Sequence, residues 1–344
     1  MKKLIAIVAL TVLMSCANKK DRKIIEVAAF TGQQITGVTV SQNGRIFANF
    51  PRWRKGVTNA VVAVGEKGKA MPYPNTEWNS WKIGNPVSDS LFVAVQSVVA
   101  AKDKLYVIDT RNPEFKGVIN NPRIFVFDLT TNQLAKTYVL PEDAYHKDSY
   151  INDIRIDLKN GTAYMTDSGH AGLVVLDLNS GNFKRVLDNH SSTLAEVDHL
   201  NFNGTSWNNT VHSDGIALDP KRELLYYHAL TGYNLYAVPT NTLINGTEEQ
   251  IQASVQLIKK TPAPDGMIFD SNNNLYLADL EKNGIVQLNV ATGEMNVFAQ
   301  GEKVKWADTF SIYDNELYYT NSRINEITGP INNMVFTINK IQLD

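Results

Sequence analysis

The sequence predicts an all-β fold, a six-bladed β-propeller with four-stranded blades whose ring is closed by the N-terminal strand. The first observation behind this prediction is a strand unit that recurs six times, with spacings of 43 to 62 residues. The six copies begin at Gly37, Gln96, Asn152, Asp214, Asp265 and Asp308. Four-stranded propeller blades repeat about every 40–50 residues. The second observation is that apolar residues alternate with polar ones, whereas no sustained 3.6-residue period indicates crossover helices.

Each copy presents its elements in the same order. An inner strand is followed by a turn rich in Asp, Asn and Lys, and then by an aromatic-rich second strand. Second strands are predicted at 45–49, 105–109, 163–167, 225–229, 274–279 and 317–321. Third strands are predicted at 124–128, 173–177, 235–238, 285–289 and 334–338. The sixth copy has little chain left for a fourth strand, so we expect residues 24–30 to complete it and leave no long open edge.

The composition excludes several classes of protein. The chain has 344 residues, 43% of them hydrophobic, so it is too long for a disulfide-stapled miniprotein and too apolar for a disordered chain. The 33 Lys and Arg residues balance 35 Asp and Glu residues without a basic cluster, which argues against nucleic acid as a partner. The sequence has no phosphate-binding loop, dinucleotide fingerprint or Gly-x-Ser-x-Gly nucleophile motif. We expect a monomer.

Residues 1–15 are predicted to form a signal peptide. Lys2 and Lys3 precede an apolar run over 4–14, which is too short to span a bilayer because a spanning helix needs about 20 apolar residues. No other stretch of the sequence is long and apolar enough to cross a membrane.

The run ends in Leu-Met-Ser-Cys16, which resembles the bacterial lipoprotein box, where the peptide is removed before a cysteine that receives the lipid. Residues 16–23 are then a lipidated Cys16 with a polar tether, and residues 24–344 are one domain. This predicts a lipid-anchored lipoprotein of the cell envelope, facing the periplasm or the cell surface, that contacts the membrane through its lipid alone. A secreted protein with an ordinary signal peptide is the alternative.

Polar residues begin most of the predicted inner strands, and inner strands of a propeller run along its central channel. We therefore expect Gln96, Asn152, Asp214, Asp265 and Asp308 to converge at one mouth of that channel. Like charges held close together raise their pKa values or recruit a cation, and carboxylate and amide oxygens suit Ca²⁺ or Mg²⁺. We predict a divalent cation, Ca²⁺ first, on Asp214, Asp265 and Asn152. Contact with a ligand without metal, or capping of backbone N–H groups, remain alternatives.

Other side chains complete the candidate site. Asp308 and His212 are candidate proton acceptors, and Gln96, Asn152, His170 and Trp306 are candidate ligand contacts. None of the six histidines has the spacing of a zinc site. The five tryptophans fall in loops or at strand starts, where rims and pockets form, whereas the tyrosines at period two are expected between the blades: Tyr106, Tyr164, Tyr226, Tyr276 and Tyr318. Asp109, Asp167 and Asp279 end second strands and are expected to cap turns.

Several segments resemble the yellow/major royal jelly protein family, in that family's order between about residues 36 and 340. The most specific are Pro-Arg-Trp-Arg at 51–54 and Tyr-Met-Thr-Asp-Ser-Gly-His at 164–170, with further likeness at 72–78, 105–110 and 214–231. The resemblance implies a secreted six-bladed propeller, whose relatives bind small amines or sterols or are linked to dopachrome conversion. The chain lacks the paired cysteines of the insect members, since Cys16 is its only cysteine.

A second resemblance is to the calcium-dependent gluconolactonase/senescence-marker propellers. Residues 264–278 are similar to the segment that supplies their metal-binding Asp, which implies that role for Asp265. Asn152-Asp153 resembles their substrate-contacting Asn-Asp pair, which implies that Asp153 contacts the ligand. Asp214 occupies the position of a metal-ligating Asn, and the Glu that these enzymes present from the first blade is missing near Gly37.

The sequence leaves two functions open. The first is a propeller that binds a small organic ligand, an amine or a ring-bearing molecule, in its central channel, because aromatic rings beside carboxylates suit such a ligand. The second is a divalent-metal-dependent hydrolase or isomerase, lactonase-like or tautomerase-like, that uses the same hub with Asp308 or His212 as proton acceptor. A platform for protein interactions is a third class without a sequence signature, since a fold alone does not determine function.

Overall fold

The computed structural model describes residues 22–219 and 221–343. Within these ranges, six four-stranded antiparallel sheets are arranged in a ring as a six-bladed β-propeller, as the sequence predicts. The predicted signal peptide, Cys16 and the predicted tether up to residue 21 lie outside the described residues. In the part of the chain that is described, no helix is both long and apolar enough to cross a membrane.

The first half of the chain forms the closing strand and three blades. The closing strand is β1 (Ile24–Thr31). Blade 1 contains β2 (Val38–Val40), β3 (Ile46–Asn49), β4 (Val61–Val64) and β5 (Ala70–Pro72). Blade 2 contains β6 (Val95–Ala101), β7 (Lys104–Asp109), β8 (Arg123–Asp128) and β9 (Gln133–Val139). Blade 3 contains β10 (Ile151–Asp157), β11 (Thr162–Asp167), β12 (Gly172–Asp177) and β13 (Phe183–Val186).

The second half forms a hairpin and three more blades. The hairpin pairs β14 (His199–Phe202) with β15 (Thr205–Asn208). Blade 4 contains β16 (Ser213–Asp219), β17 (Leu224–Ala229), β18 (Asn234–Pro239), α1 (Thr240–Asn245), α2 (Glu248–Ser254) and β19 (Gln256–Lys260). Blade 5 contains β20 (Met267–Phe269), β21 (Asn274–Asp279), β22 (Gly284–Asn289) and β23 (Glu294–Gln300). Blade 6 contains β24 (Ala307–Tyr313), β25 (Glu316–Asn321), β26 (Val335–Gln342) and β1. Short 3-10 turns occupy Glu66–Gly68, Pro113–Phe115, Glu142–Ala144, Leu280–Lys282 and Ile324–Glu326.

The ring closes as predicted, by antiparallel pairing of β1 with β26 from Ile24 opposite Ile341 to Thr31 opposite Val335. The sequence predicted a third strand at 334–338 with little beyond it, but β26 is one continuous strand. Its polar residues Asn339 and Lys340 stay in the sheet because they pair with β25 on one side and β1 on the other. The outer edge of blade 6 is therefore covered by the start of the chain.

Six hydrophobic clusters each lie between two neighbouring blades, and a smaller seventh cluster surrounds Trp81, among the described residues. The tyrosines at period two are buried in these clusters, which confirms the prediction: Tyr106, Tyr164, Tyr226, Tyr276 and Tyr318. Burying a large apolar side chain stabilises a protein by about 1.5–3 kcal/mol. Because every blade packs on two neighbours, the ring holds the inner strands in place around the channel.

Insertions explain the long spacings between some copies. The segment 189–210, between blades 3 and 4, contains the β14–β15 hairpin. The two helices in blade 4 were missed because each is under two turns long, too short to show a helical period. The sequence did contain one indication of α2, because Thr247 and Gln250 form a capping box at the start of this helix.

Candidate ligand-binding site at the hub

The five polar residues predicted to converge do line one cavity, of about 380 Å³, at one mouth of the channel: Gln96, Asn152, Asp214, Asp265 and Asp308. Four of them lie in or beside an inner strand where its pairing with the next strand shifts register: between Val95 and Ser97, Ile151 and Ile154, Ser213 and Gly215, and Ala307 and Phe310. Such bulges re-aim side chains. The repeated irregularity thus accompanies the polar side chains that face the channel.

Carboxylate and amide oxygens at the ends of second strands position the segments that lead into the inner strands. Asp109 accepts hydrogen bonds from the backbone N–H groups of Val93 and Ala94, both at 2.7 Å. Asp167 accepts one from Tyr150 N–H at 2.8 Å, and it also pairs with Arg185 at 2.9 Å. Both residues also cap the turns after their own strands, as predicted: Asp109 accepts from Arg111 N–H at 3.2 Å, and Asp167 accepts from Gly169 and His170 N–H at 3.2 and 3.1 Å.

Three carboxyl groups form the acidic side of the cavity. Asp214, Asp265 and Asp308 are 4%, 8% and 7% exposed. Burial, reinforced by the charge of Asp265, raises the pKa of Asp214 and of Asp308 well above its usual value. Burial also raises the pKa of Asp265 to about 8, although the Trp306 indole N–H, which donates to its Oδ2 at 2.6 Å, opposes the shift. Among the described residues that line the cavity there is no Lys or Arg to neutralise these groups.

A hydrogen-bonded chain of neutral groups forms the opposite side. The Tyr150 hydroxyl donates to Gln96 Oε1 at 2.8 Å, and Gln96 Nε2 donates to Asn152 Oδ1 at 2.9 Å. Asn152 Nδ2 continues the chain to Ser168 Oγ at 3.2 Å, and the Trp53 indole N–H donates to the Tyr150 hydroxyl. Complete burial raises the pKa of Tyr150, so this hydroxyl stays protonated.

Aromatic rings stand on two sides of the cavity. On one side, Phe115 lies between Trp53 and Tyr150, with ring centroids 5.6 and 4.8 Å apart. On the other side, Trp306 packs edge-on against Trp207 at 4.9 Å. Trp306 is 1% exposed and has φ of 60°. Positive φ is costly for a bulky residue and persists where the surroundings enforce it, here beside Asp265.

Three predicted site residues do not line the cavity. The side chain of Asp153 points away from the cavity. It accepts a hydrogen bond from Ser97 Oγ at 2.8 Å and forms an ion pair with Arg155 at 2.8 Å. His212 Nδ1 accepts from the backbone N–H of Ala195 at 3.0 Å, and burial lowers the pKa of this imidazole.

His170 likewise lies outside the cavity, with its Nδ1 atom 3.0 Å from Asp148 Oδ1. Its neighbours Ser168 and Gly169 do line the cavity.

Two predicted rim residues also lie away from the hub. Trp78 packs in the core against Phe125, with ring centroids 5.0 Å apart, and Trp81 is 2% exposed and lines a separate cavity.

Three residues that line the hub cavity were not predicted from the sequence: Tyr150, Phe115 and Ser168. The position of Tyr150 directly before an inner strand was a usable signal, whereas nothing in the sequence pointed to Phe115.

The separate cavity, of about 730 Å³, lies beside blade 1 and is lined in part by Arg52, Arg54, Lys55 and Lys82. Arg52 serves the fold there, because its guanidinium donates to the backbone oxygens of Phe92, Val93 and Asn79. Burial lowers the pKa of Arg52 to about 10. Although this cavity is larger, the hub holds the converging acids and the aromatic walls, so we place the candidate site at the hub.

The hub residues fit a calcium ion only in part. Ca²⁺ takes about 6–8 oxygen ligands, whereas the predicted set supplies Asp214, Asp265 and Asn152. Asn152 Oδ1 already accepts from Gln96, and Asp265 Oδ2 from Trp306. The first blade cannot add a ligand at Gly37, because a Cβ built there would lie 1.9 Å from Asn49 Oδ1. These residues therefore do not form a complete calcium cage.

The family model described as major royal jelly protein matches residues 93–343. The chain belongs to the major royal jelly protein family. It is 26% identical over 266 residues to dopaminechrome tautomerase of Drosophila melanogaster, covering 71% of this chain and 55% of that protein. It is 27% identical over 215 residues to major royal jelly protein 5 of Apis mellifera, covering 57% and 34%. The chain therefore spans about a third to just over half of these relatives.

Solved structures support the fold of this family member. A luciferin-regenerating enzyme matches with a TM-score of 0.60 at 11% identity, covering 93% of this chain and 95% of that one. A gluconolactonase from Xanthomonas campestris matches with a TM-score of 0.58 at 12% identity, covering 94% and 90%. At such identities the likeness concerns the propeller architecture alone.

Proposed function

We propose that this major royal jelly protein family member binds, in its hub cavity, a small organic ligand that carries a protonated amine and a planar ring. One observation carries the proposal: Asp214, Asp265 and Asp308 face the cavity without a described Lys or Arg among its lining residues. The cavity volume, about 380 Å³, is in the range of small-molecule sites, roughly 300–1,000 Å³.

The acids explain why a cation is the matching ligand. Burying carboxylates without a counter-charge is costly, so the folded protein keeps them protonated, as the pKa of about 8 for Asp265 indicates. An ammonium group in the cavity supplies the missing positive charge and lowers that pKa. Binding at neutral pH then releases a proton from the cluster.

The aromatic walls explain why the ligand should also carry a ring. Trp53 and Phe115 on one side and Trp207 and Trp306 on the other line the same cavity as the acids. A cation over an aromatic face gains about 0.5–2 kcal/mol, and a planar ring between such walls replaces water at apolar surface. One relative is named dopaminechrome tautomerase, after a ring-bearing molecule.

Calorimetric titration with dopamine at pH 7, in two buffers of different ionisation enthalpy, tests the proposal. We expect saturable binding with release of up to one proton, and loss of that release in Asp265→Asn. Leu257→Ala, on an exposed residue of β19, serves as the control and should bind like the unmodified protein. Absence of binding across a panel of aromatic amines, or binding that Asp265→Asn leaves unchanged, contradicts the proposal.

A second candidate function is tautomerisation of an aminochrome. It is favoured by the buried acids, because a carboxyl group with a pKa near 8 can both donate and accept a proton at neutral pH. Tautomerisation moves a proton from carbon to oxygen and leaves atoms and electrons balanced, so it needs an acid–base pair and no oxidant. Asp308 would accept the proton in those molecules in which it has lost its own, and Asp265 would return one.

Loss of the visible absorption of dopaminechrome, followed after mixing with the protein, tests this second function. Asp308→Asn should lower kcat by about 100-fold or more. His212→Asn should retain activity, because His212 does not line the cavity. Dopamine binding without any turnover supports the binding function alone.

The lactonase-like alternative depends on a divalent ion at the hub. Ca²⁺ on Asp214, Asp265 and Asn152 remains a prediction, with waters completing its shell. Titration of metal-stripped protein with Ca²⁺, together with a δ-gluconolactone hydrolysis assay before and after chelation, checks it. Absence of Ca²⁺ binding, or hydrolysis that chelation leaves unchanged, removes this alternative.

A further inference from the structure

A second polar cluster lies outside the hub cavity, where three loops around blade 3 meet. His146 precedes β10, His170 lies in the turn between β11 and β12, and Asp188 follows β13. One ligand atom of each residue lies within 4.8 Å of the other two. His146 Nε2 is 3.1 Å from each Asp188 oxygen, and His170 Nε2 is 3.9 Å from Asp188 Oδ1.

No two histidines have the spacing of a zinc motif in the sequence, yet His146 and His170 lie side by side in the structure. Chain spacing does not reveal this pair, because the two residues are too far apart in sequence to give a zinc motif. The propeller brings them together, so that their rings stack with centroids 3.7 Å apart.

Hydrogen bonds around His170 orient its ring so that the Nε2 atom can bind a metal ion. Its Nδ1 lies 3.0 Å from Asp148 Oδ1, and a carboxylate at that position keeps the proton on Nδ1. The lone pair of Nε2 then points into the cluster, where Asn189 Nδ2 donates to it at 2.9 Å, a hydrogen bond that a bound ion would replace. A ligating histidine whose other nitrogen is bound to a carboxylate is a recurrent feature of metal sites.

Asp188 has an oxygen available for an ion. Arg185 Nε donates to Oδ1, whereas the only partner found for Oδ2 among the described residues is His146. The side chains of His146, His170 and Asp188 are 40%, 22% and 41% exposed, so water and ions can reach them.

We propose that His146, His170 and Asp188 bind a divalent transition-metal ion of the zinc class. Two imidazole nitrogens and one carboxylate are a donor set that suits Zn²⁺, with water as a fourth ligand. Donor atoms on a tetrahedral zinc ion, bound at about 2.0–2.1 Å, are roughly 3.3 Å apart. The separations from Asp188 are 3.1 and 3.9 Å, and all three donor atoms lie within 4.8 Å of one another, so the side chains must move closer to bind the ion.

The ion would tie together three loops that border the hub. The turn with His170 also contains Ser168 and Gly169, which line the hub cavity, and the chain after Asp188 leads to the hairpin that carries Trp207. Zinc binding should therefore stabilise this side of the cavity mouth. The site is distinct from the hub, whose donors are oxygen atoms.

Zinc titration of tag-free, metal-stripped protein, by calorimetry and by thermal unfolding, tests the proposal. We expect one Zn²⁺ per chain and a rise in Tm of roughly 3 °C at saturating zinc. His146→Ala and His170→Ala should each weaken binding at least 10-fold. His199→Ala is the matched control, because His199 is equally exposed and also pairs with an Asp.

Co²⁺ gives a readout that needs no variant, since coordination by imidazole changes its visible absorption. Absence of stoichiometric Zn²⁺ binding, or binding that both histidine variants retain, overturns the proposal. Binding lost in Asp265→Asn rather than in His146→Ala overturns it as well, because the ion would then occupy the hub.

Discussion

Burial, neighbouring acids and the indole of Trp306 all act on the carboxyl group of Asp265 in the hub. Its folded-state pKa, about 8, is above its ordinary value, so between about pH 4 and 8 the folded chain holds a proton that the unfolded chain has released. Stability therefore falls as pH rises through this window and levels off above it.

Asp265→Asn should flatten this pH dependence. The amide needs no proton, and removing one charge also lowers the pKa values of Asp214 and Asp308 toward their usual range. We expect the variant to be more stable than the unmodified protein by roughly 1–3 kcal/mol at pH 8 and similar to it at pH 4. Thermal unfolding from pH 4 to 9 measures this, with exposed Asp143→Asn as control. A variant whose curve parallels the original would contradict it.

Phe115 tests the aromatic wall without disturbing the core. The residue is 58% exposed and borders the cavity. Phe115→Ala should weaken dopamine binding about 10-fold, because it removes one face of the wall and loosens Trp53, while Tm stays within about 1 °C. Leu257→Ala, at 60% exposure, is the matched control. Unchanged affinity in Phe115→Ala, measured by titration, would place the ligand elsewhere.

At the scale of elements, the closing strand β1 is the one most open to a direct test. Phe30 of β1 is 8% exposed and packs edge-on against Phe50 at 5.1 Å, which joins blade 6 to blade 1. Phe30→Ala should destabilise the fold by about 3–5 kcal/mol. Ile25→Ala, on the same strand but 40% exposed, should change it by less than about 1 kcal/mol. Equal denaturation midpoints for the two variants would mean that β1 does not seal the ring.

The sequence predicted most strands because period-two alternation and turn residues are local signals. It also predicted which residues converge at the hub, because the inner strand of each copy begins at an equivalent position. It did not predict the bulges, since a shift in register depends on the partner strand. The sequence also could not predict that the side chain of Asp153, one residue after Asn152, points toward Arg155 instead of the cavity. The side on which a bulged residue emerges is decided by packing between blades.

At the scale of the whole molecule, function depends on residues that ring closure brings together. The hub acids come from separate blades, and the His146–His170–Asp188 cluster from three loops. Repeats made the hub predictable, because equivalent positions in a ring meet at its axis. No repeat relates the loops of the histidine cluster, so only the three-dimensional structure reveals it.

The predicted lipid anchor depends on Cys16, which precedes the described residues. We expect the full-length chain, expressed in a bacterium, to incorporate a fatty-acid analogue and to sediment with membranes. Cys16→Ser should abolish both, because the serine hydroxyl cannot replace the thiol that receives the lipid. Metabolic labelling and membrane fractionation measure the two effects.

Lys19→Ala is the control for this prediction, since it changes the tether but keeps the cysteine. Incorporation of the fatty-acid analogue into the Cys16→Ser variant would contradict lipidation of Cys16. Lack of incorporation into the unmodified chain would also contradict it, and would favour the secreted alternative. Anchoring by lipid alone would leave the propeller outside the bilayer, tethered by a few polar residues, with the hub open to small molecules in the surrounding water. This arrangement would suit a protein that captures or converts ligands outside the cytoplasm.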